Sequence, residues 1–427
     1  MNEQLTRRDF LIRSGALAGG AVVAPGLLSA CGGGESGGGA STFKVGAVLE
    51  LSGSDASGGQ LARRGYQFWV DTVNQKGGIG IGGKKYRVDL VVEDCKSQPD
   101  VGADAVTRLA TQENVDAIFG SYTSGVQLAM NPICQKYQVP CIAGSAESPG
   151  NWTPQPQFTY GIIPSVDLTA DKALKFIVDS AGSKPVSAVV LGANETFSKD
   201  AAAGFAKGAE QAGLDVMQNS LFPPDADLTP IISGVASKRP DILAIGGHDT
   251  VLIDAVKAAK SVNFTPKALI MHFGVTEPSF VKELGPDAEG VLGLVDWTPD
   301  FPYRDDVFGS AAEYARKFEA KYKSKPDYTA AACSASGEVL QQAAQKLGKP
   351  PHLAQADRVK LNEIIARTDI RTFYGPIRFE SSGAHFHDNV VPPPVLIQIK
   401  NGDIVPVAPA RVKKAAMQYP LPSLTAR

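Results

Sequence analysis

The stretch Phe43-Lys44-Val45-Gly46-Ala47-Val48-Leu49-Glu50-Leu51-Ser52-Gly53 decides the fold class of this chain. A mostly apolar run of strand length ends in a polar turn, and an amphipathic stretch with the pattern of a helix follows over 59–74. A short buried strand followed by such a helix is the repeating unit of a parallel sheet covered by helices. The sequence therefore predicts an α/β protein from residue 43 onward.

The same alternation continues through two successive sets of elements. In the first set the pattern predicts strands over 86–93, 117–119, 139–142 and 158–162, with helices over 99–112 and 125–137. In the second set it predicts strands over 187–191, 241–245, 267–271 and 290–295, with helices over 197–212 and 251–261. Helices over 306–323 and 328–347 and strands over 377–379, 395–400 and 404–407 follow. Asn401-Gly402, between the last two strands, is typical of a two-residue hairpin turn.

The two sets predict two doubly wound α/β domains with parallel sheets. We expect the first lobe to comprise residues 43–163 and 297–376 and the second lobe to comprise 164–296 and 377–427. The late strands are expected to cross between the lobes. In open sheets of this kind, ligands bind at the carboxyl ends of the strands, where helix N-termini offer amide donors.

The N-terminal residues indicate export. Arg7-Arg8 precedes an apolar run over 16–28 that is too short to span a bilayer as a helix. The run ends at Leu28-Ser29-Ala30-Cys31, which resembles a bacterial lipobox, in which the cysteine is lipidated and becomes the first residue after cleavage. We expect residues 1–30 to be a cleaved twin-arginine signal. Residues 31–42 would form a lipidated, Gly/Ser-rich tether that holds an extracytoplasmic protein at a membrane.

Composition and motif content exclude several classes of function. A formal net charge of -2 provides no broad basic field for nucleic acid. Cys95, Cys134, Cys141 and Cys333 have neither the spacing of metal ligands nor a disulfide framework, so we expect buried free thiols or one incidental bridge. The turn after the first strand lacks the G-x-G-x-x-G order of nucleotide-binding sheets. The missing motifs argue against an enzyme, and we expect neither a cofactor nor a metal.

A series of short motifs carries a family resemblance. In chain order they are Leu51-Ser52-Gly53, Val73-Asn74-Gln75-Lys76-Gly77-Gly78-Ile79, Glu93-Asp94, Phe119-Gly120-Ser121-Tyr122-Thr123-Ser124, Gln138-Val139-Pro140, Gly246-Gly247-His248 and Gly375-Pro376-Ile377-Arg378-Phe379. In this order, over most of residues 43–409, the chain resembles the leucine/isoleucine/valine-binding proteins within the type I periplasmic solute-binding family. The resemblance implies two lobes joined by three hinge crossings, a ligand held between them, and a monomer that serves the permease subunits of an ABC importer. The implied ligand is a branched-chain or other amino acid, a related amide or urea-like compound, or a carboxylate.

The resemblance also implies ligand contacts in the first lobe. Ser124 and Gly125 stand where the family presents a serine hydroxyl and adjacent amides to a ligand carboxylate, although Ser124 would also serve as a plain helix N-cap. Ser145, Ala146 and Glu147 lie in a loop where relatives offer a small hydroxyl and a backbone carbonyl. Glu147 departs from that pattern, and its carboxylate would either accept hydrogen bonds from the ligand or be solvated.

Across the hinge, Phe197 and His248 match positions where the family presents aromatic rings to the ligand. The alternatives are a core phenylalanine and a structural histidine. Phe273 stands where amino-acid binders usually present an acidic residue to the ammonium group, and its ring would offer only a cation-π face. This departure favours a less basic ligand. An alignment shifted by a residue or two would make Asp249 or Glu277 the partner of an ammonium group.

Two further hypotheses compete with these predictions. His385, His387 and Asp388 have the spacing of a metal triplet, but they occur in a turn-rich stretch where solvated histidines are expected. A lipid-anchored ligand-sensing module that acts with a separate signalling partner would have the same fold as an importer's binding protein. The sequence alone leaves that alternative open.

Overall fold

A computed structural model describes residues 42–272 and 274–426 of the chain. The predicted signal segment, Cys31, nearly all of the tether, and Phe273 lie outside the described residues. Within the described ranges, no helix has the length and apolar character needed to cross a membrane.

The described residues form strands and helices in regular alternation. The strands are β1 Phe43–Leu49, β2 Ile79–Ile81, β3 Lys84–Tyr86, β4 Val88–Asp94, β5 Ala117–Phe119, β6 Cys141–Ala143, β7 Thr159–Gly161, β8 Ser187–Ala193, β9 Asp215–Phe222, β10 Ile242–Gly246, β11 Ala268–His272, β12 Leu292–Val295, β13 Arg304–Asp305, β14 Gly309–Ser310, β15 Asp369–Arg371, β16 Pro376–Arg378, β17 Val395–Lys400 and β18 Asp403–Ala408. The helices are α1 Ala56–Gln75, α2 Pro99–Thr111, α3 Ser124–Tyr137, α4 Ala170–Ser180, α5 Thr196–Gln211, α6 Leu228–Lys238, α7 Asp249–Ser261, α8 Pro278–Leu284, α9 Ala311–Tyr322, α10 Tyr328–Leu347 and α11 Gln355–Ala366. The order agrees with the predicted α/β alternation.

The first sheet is parallel throughout, in the order β4-β1-β5-β6-β7. Alternating side chains of β1 belong to two different cores, because successive residues of a strand point to opposite faces. Val45, Ala47 and Leu49 belong to the core that includes residues of α1 and α10. Val48 belongs to a separate core with side chains of α2 and α3. Helices thus cover both faces of the sheet, as predicted.

The second sheet has the order β18-β17-β12-β11-β10-β8-β9. Its strands from β9 to β12 pair in parallel, whereas β17 and β18 are antiparallel additions at one edge. The late strands were expected to cross between the lobes, and that expectation is wrong for β17 and β18, which both lie in the second sheet. Asn401 and Gly402 have φ angles of 53° and 75°, and the predicted two-residue turn at these residues joins β17 and β18 as antiparallel neighbours. The pairing of β17 with β12 is long-range and places both strands at the edge of the second sheet.

Three chain segments connect the two sheets. They run over 162–169, 296–310 and 379–394. The third segment is hydrogen-bonded to the end of β7, where the Gly161 amide donates to the His387 carbonyl at 3.0 Å. It is also bonded to the first segment, where the Asn389 side-chain amide donates to the Ile162 carbonyl at 3.0 Å. This arrangement is the three-crossing hinge that the sequence led us to expect.

The hinge also corrects the prediction of solvated residues in its third segment. Asp388 is fully buried and accepts hydrogen bonds from the Ser165 amide at 3.0 Å and the Ser165 hydroxyl at 2.7 Å. His387 is buried as well, and its ring stacks on Tyr160 at a centroid distance of 4.2 Å. No cluster of three or more His, Cys, Asp or Glu side chains in the described ranges is arranged to hold a metal ion.

The four cysteines among the described residues agree with the prediction of buried thiols. Cys95, Cys134, Cys141 and Cys333 are all free and buried. Burial raises the pKa of the Cys95 thiol to about 12. A thiol with so high a pKa is a poor nucleophile, so Cys95 has a packing role.

Candidate binding site

The candidate site lies where helix starts from the two sheets meet. Helix α3 follows β5 of the first sheet, and α5 and α7 follow β8 and β10 of the second, all at the carboxyl ends of parallel strands. A Cβ atom added to Gly125 would lie 3.5 Å from Thr196 Oγ1, so the first turns of α3 and α5 approach each other closely. Helix N-termini carry unpaired amides and partial positive charge, which suit them to acceptor groups.

Ser124 is the first residue of α3, and Thr123 occupies the N-cap position. The alternative of a plain N-cap serine is therefore wrong. The Ser124 hydroxyl accepts a hydrogen bond from the Ser148 amide at 3.0 Å. The Ser148 hydroxyl in turn donates to the carboxylate of Asp200 on α5. These contacts join the start of α3 to the loop after β6 and, through it, to the second sheet's helices.

The loop after β6 contains Ser145, Ala146 and Glu147, all buried. Ala146 has a φ angle of 72°, a left-handed conformation unusual for a residue with a Cβ atom. The Glu147 carboxyl is 2% exposed, and it accepts a hydrogen bond from the Tyr328 hydroxyl at 3.1 Å. Burial, and then the charge of Asp296, raise the pKa of Glu147 well above its usual range. The solvated alternative for this carboxylate is therefore wrong.

The second sheet contributes a cluster of aromatic rings. Phe197 is buried, and its ring centroid lies 5.3 Å from His248 and 5.6 Å from His272. Nε2 of His272 lies 3.6 Å from the Glu147 carboxylate. Burial, with a smaller contribution from His248, lowers the pKa of His272 to about 3, so this imidazole is neutral at physiological pH. The predicted positions of Phe197 and His248 are thus brought together with Glu147 through His272.

Glu277 is a central polar residue of the site. It is 1% exposed and precedes α8 on the second-sheet side. It accepts hydrogen bonds from the hydroxyls of Tyr122 at 2.7 Å and Ser57 at 2.9 Å, both from the first-sheet side. Burial, and then the charge of Asp249, raise the pKa of Glu277 well above its usual range. Of the two acidic alternatives, Glu277 makes the cross-sheet contacts, whereas Asp249 accepts from Ser279 at 2.8 Å on its own side.

These residues form one connected set that spans both sides. Tyr122 contacts Glu277 and lies 3.2 Å from His248 Nδ1, and Tyr328 contacts Glu147. Sequence reasoning did not single out Ser57, Tyr122, His272 or Tyr328 as site residues. Tyr328 directly follows Asp327, whose side chain caps α10, and this cap was the available signal that an aromatic ring stands at a helix start.

The centre of the predicted gap is closed by these direct contacts. Cavities remain on either side of it. One, of about 520 Å³, includes Asp55, Glu195, Lys199 and His248 in its lining. The other, of about 610 Å³, is lined by Glu277, Tyr328, a group of apolar side chains and several charged residues.

The buried carboxyls at the hinge make stability depend on pH. Burial raises the pKa of Asp296 to about 7, with Lys172 opposing the shift and Asp388 adding to it. An unfolded aspartate titrates near 4, so between about pH 4 and 7 only the folded state holds this proton. The free energy of unfolding therefore falls as pH rises through that window. We expect Asp296→Asn to match the wild type near pH 4 and to exceed it by about 4 kcal/mol at pH 8.

Urea unfolding at pH 4, 6 and 8 measures this difference. Asp300→Asn, on the same crossing segment, is the matched control because the Asp300 side chain is 38% exposed and lies 3.1 Å from Lys414. The control should show no advantage that grows with pH. If the advantage of Asp296→Asn is the same at all three pH values, the hinge carboxyl does not titrate as described.

The fold and site together define a class of protein: two α/β lobes with a buried polar site between them, built to enclose a small molecule. Residues 42–395 match the family described as periplasmic binding protein. The chain belongs to that family. The prediction of a solute-binding protein, not an enzyme, is confirmed by this membership.

Individual relatives are similar at modest identity. The "Leu/Ile/Val-binding protein homolog 8" of Brucella abortus is 24% identical over 295 residues, which cover 66% of this chain and 71% of that protein. The crystal structure of LivJ from Streptococcus pneumoniae, in complex with isoleucine, superposes with a TM-score of 0.73 at 21% identity, covering 85% of this chain and 98% of that one. A solute-binding protein from R. palustris in complex with benzoate superposes with a TM-score of 0.72 at 22% identity, covering 88% and 99%. These structures confirm the type I periplasmic-binding-protein fold.

Proposed function

We propose that this chain is the extracytoplasmic substrate-binding lipoprotein of an ABC importer, anchored through Cys31, and that its ligand is a small polar molecule rich in N–H donors. An amino acid, or a related amide or urea-like compound, has this chemistry. The observation that carries the proposal is the pair of buried carboxyls, Glu147 and Glu277, contributed by opposite sides of one site.

The charge balance of the site favours a donor or cation over an anion. The buried residues include Glu147 and Glu277, and no lysine or arginine within the described ranges is buried. A buried carboxyl without a cationic partner is costly, which is why the pKa of each is raised. An ammonium or amide N–H placed beside them would offset that cost. A ligand whose sole polar group is a carboxylate would add a like charge, so we do not favour one.

The predicted site residues then divide by chemistry. Ser124, Gly125 and the amides at the start of α3 would hold an acceptor group of the ligand. Ser145 and the backbone of Ala146 would supply further hydrogen bonds. The rings of Phe197 and His248 would cover the ligand from the other lobe. We also propose Phe273 as a further ring beside the ligand, and this proposal rests on the family resemblance alone.

Movement at the three crossings would open and close the site. In the closed arrangement, the hydroxyls of Ser57, Tyr122 and Tyr328 donate to the two buried carboxyls. When the lobes separate, ligand N–H groups would replace some of these donors, and closure would then enclose the ligand. We propose that the lobes comprise residues 43–163 with 297–376 and residues 164–296 with 377–427, and that the protein acts as a monomer.

The solved relatives show the range of chemistry that this fold accepts. LivJ was crystallised with isoleucine, which carries an ammonium group, and the R. palustris protein with benzoate, which carries only a carboxylate. The two buried carboxyls of this chain favour the first kind of ligand over the second.

A thermal-shift screen of the mature protein tests the proposal. The panel contains valine, leucine, glycinamide, acetamide, urea and benzoate, each at millimolar concentration. We expect an amino acid, amide or urea to raise the melting temperature by at least about 2 °C, because a ligand that binds only the folded state stabilises it by mass action. Stabilisation by benzoate alone would contradict the proposed ligand class, and no stabilisation by any compound would leave the proposal without a ligand.

A further inference from the structure

The 610 Å³ cavity beside the candidate site has a wall of unusual composition for a polar-ligand pocket. Its apolar lining comes from three parts of the chain, namely Ala312 and Ala315 on α9, Val295 and Trp297 at the second hinge crossing, and Val281, Ile404 and Pro406 on the second-sheet side. Ile404 is 40% exposed although most large apolar residues of this protein are buried. A partly exposed isoleucine at the edge of an apolar cavity indicates a surface that an apolar group can cover.

The cavity is continuous with the candidate site. Glu277 and Tyr328 line the cavity, and the same two residues make the hydrogen bonds to Tyr122 and Glu147 that define the site. If the donor group of a ligand reaches Glu277, the rest of the ligand has two directions to occupy. One leads into this 610 Å³ cavity, the near cavity, and the other leads into the 520 Å³ cavity on the opposite side of the site, the far cavity. Charged residues line both cavities, but the near one has Trp297, Val281, Val295 and Ile404 in its wall, whereas Val126 and Val251 are the large aliphatic residues of the far one. An apolar group is therefore better matched to the near cavity.

The size of the cavity exceeds what a small aliphatic side chain needs. An apolar cavity of about 150 Å³ is enough for a benzene ring, whereas this one measures about 610 Å³. The wall is not wholly apolar, since charged residues also line it, namely Asp300, Arg316, Glu319, Lys325, Asp327 and Asp403. The buried hydroxyl oxygens of Thr276 and Thr298 line it and have no hydrogen-bond partner among the described residues, so a ligand with one polar substituent on its apolar body would also be accommodated.

We infer that this cavity takes the apolar body of the ligand, so that the substrate class is an amine- or amide-headed compound with an aryl or long alkyl body. The inference rests on the proposed function, because it assumes that the polar head lies between Glu147 and Glu277. It makes the lining residues of the cavity, Ala315 and Trp297 among them, determinants of specificity. The head would be held by the carboxyls, and selectivity for size would come from the cavity.

A homologous series of amines tests the inference by calorimetry on the mature protein. The probes are butylamine, hexylamine, octylamine and 4-phenylbutylamine. In the wild type we expect affinity to rise about fourfold for each added methylene, the gain typical of complete burial of that group. Ala315→Phe fills the cavity from α9 and should abolish this rise. Ala320→Phe, on the exposed side of the same helix, is the matched control and should preserve it.

The outcomes separate this inference from the function on which it rests. The inference is overturned if affinity does not depend on chain length in the wild type. It is also overturned if affinity rises equally in the wild type, Ala315→Phe and Ala320→Phe. Failure of every amine to bind overturns it as well. If the short ligands of the thermal-shift panel bind but the affinity of the amines does not depend on chain length, the proposed function stands and only the inference about the cavity is wrong. Should Ala315→Phe fail to fold, Ala312→Phe fills the same wall one turn earlier.

Discussion

Replacing Glu277 with glutamine is expected to lower ligand affinity by about 100-fold, the loss typical when one partner of a buried charged pair is removed. The side chain is 1% exposed and holds hydroxyls from the opposite side at 2.7 and 2.9 Å. Glutamine has the same shape, but its amide replaces one acceptor oxygen with a donor. A ligand ammonium or amide would then lose its charged acceptor, whereas the fold should survive.

Isothermal titration with the ligand found in the thermal-shift screen measures this effect. Glu283→Gln is the matched control, because Glu283 lies on the adjoining helix α8, is 54% exposed on its side chain and faces Lys257 at 3.8 Å. The control should bind like the wild type. An affinity for Glu277→Gln within about threefold of the wild type would remove this carboxyl from the proposed site, since charge pairs that matter cost far more than that.

Replacing Glu50 with alanine is expected to lower the free energy of unfolding by about 3–5 kcal/mol, the sum for several buried donors left without a partner. Glu50 follows β1 and is fully buried. It accepts hydrogen bonds from the Tyr122 amide at 3.0 Å, the Thr123 amide at 3.0 Å and the Thr123 hydroxyl at 2.7 Å. The alanine variant leaves these donors unsatisfied in the interior.

This prediction also concerns the site, since Glu50 fixes the turn that presents Tyr122 and the start of α3. Urea unfolding measures the loss. Glu50→Gln, which keeps one acceptor oxygen, should be intermediate and provides a measurement if the alanine variant does not fold. Glu93→Ala, on the neighbouring strand β4, is the control: Glu93 pairs with Arg108 at 2.7 Å but is partly exposed, so its loss should cost less than about 1 kcal/mol. An equal loss in Glu50→Ala and Glu93→Ala would contradict the assigned role.

The sequence predicted the helices and strands well because their signals are local. β1 is an almost wholly apolar run, which predicts a strand buried on both faces, and the structure assigns its side chains to two cores on opposite faces. The Asn401-Gly402 hairpin was predicted on the same basis. The place of this hairpin in the second sheet was not predicted, because it depends on the pairing of β17 with β12, about a hundred residues away in the chain.

The site was predicted in part, and the errors share one physical cause. The order of strands and helices along the chain predicts which residues stand at strand ends and helix starts. Four of the predicted site residues have such positions, namely Ser124, Gly125, Phe197 and His248. Whether Glu147 is solvated or buried depends on Tyr328 and His272, which reach it from remote elements. The choice between Asp249 and Glu277 likewise depends on which carboxyl faces Tyr122 across the gap. Phe273 lies outside the described residues, so its predicted role stays a prediction.

The sequence by itself determined the α/β class, the order of the two sets of strands and helices, and the family. It also predicted an export signal. All of these follow from local periodicity, turn chemistry and motif order along the chain. Only the tertiary structure decided the burial of Glu147, Glu277 and Asp388 and the contacts that join the two sheets. Burial and charge pairing depend on which distant residues meet in space, and no local pattern in one sequence contains that information.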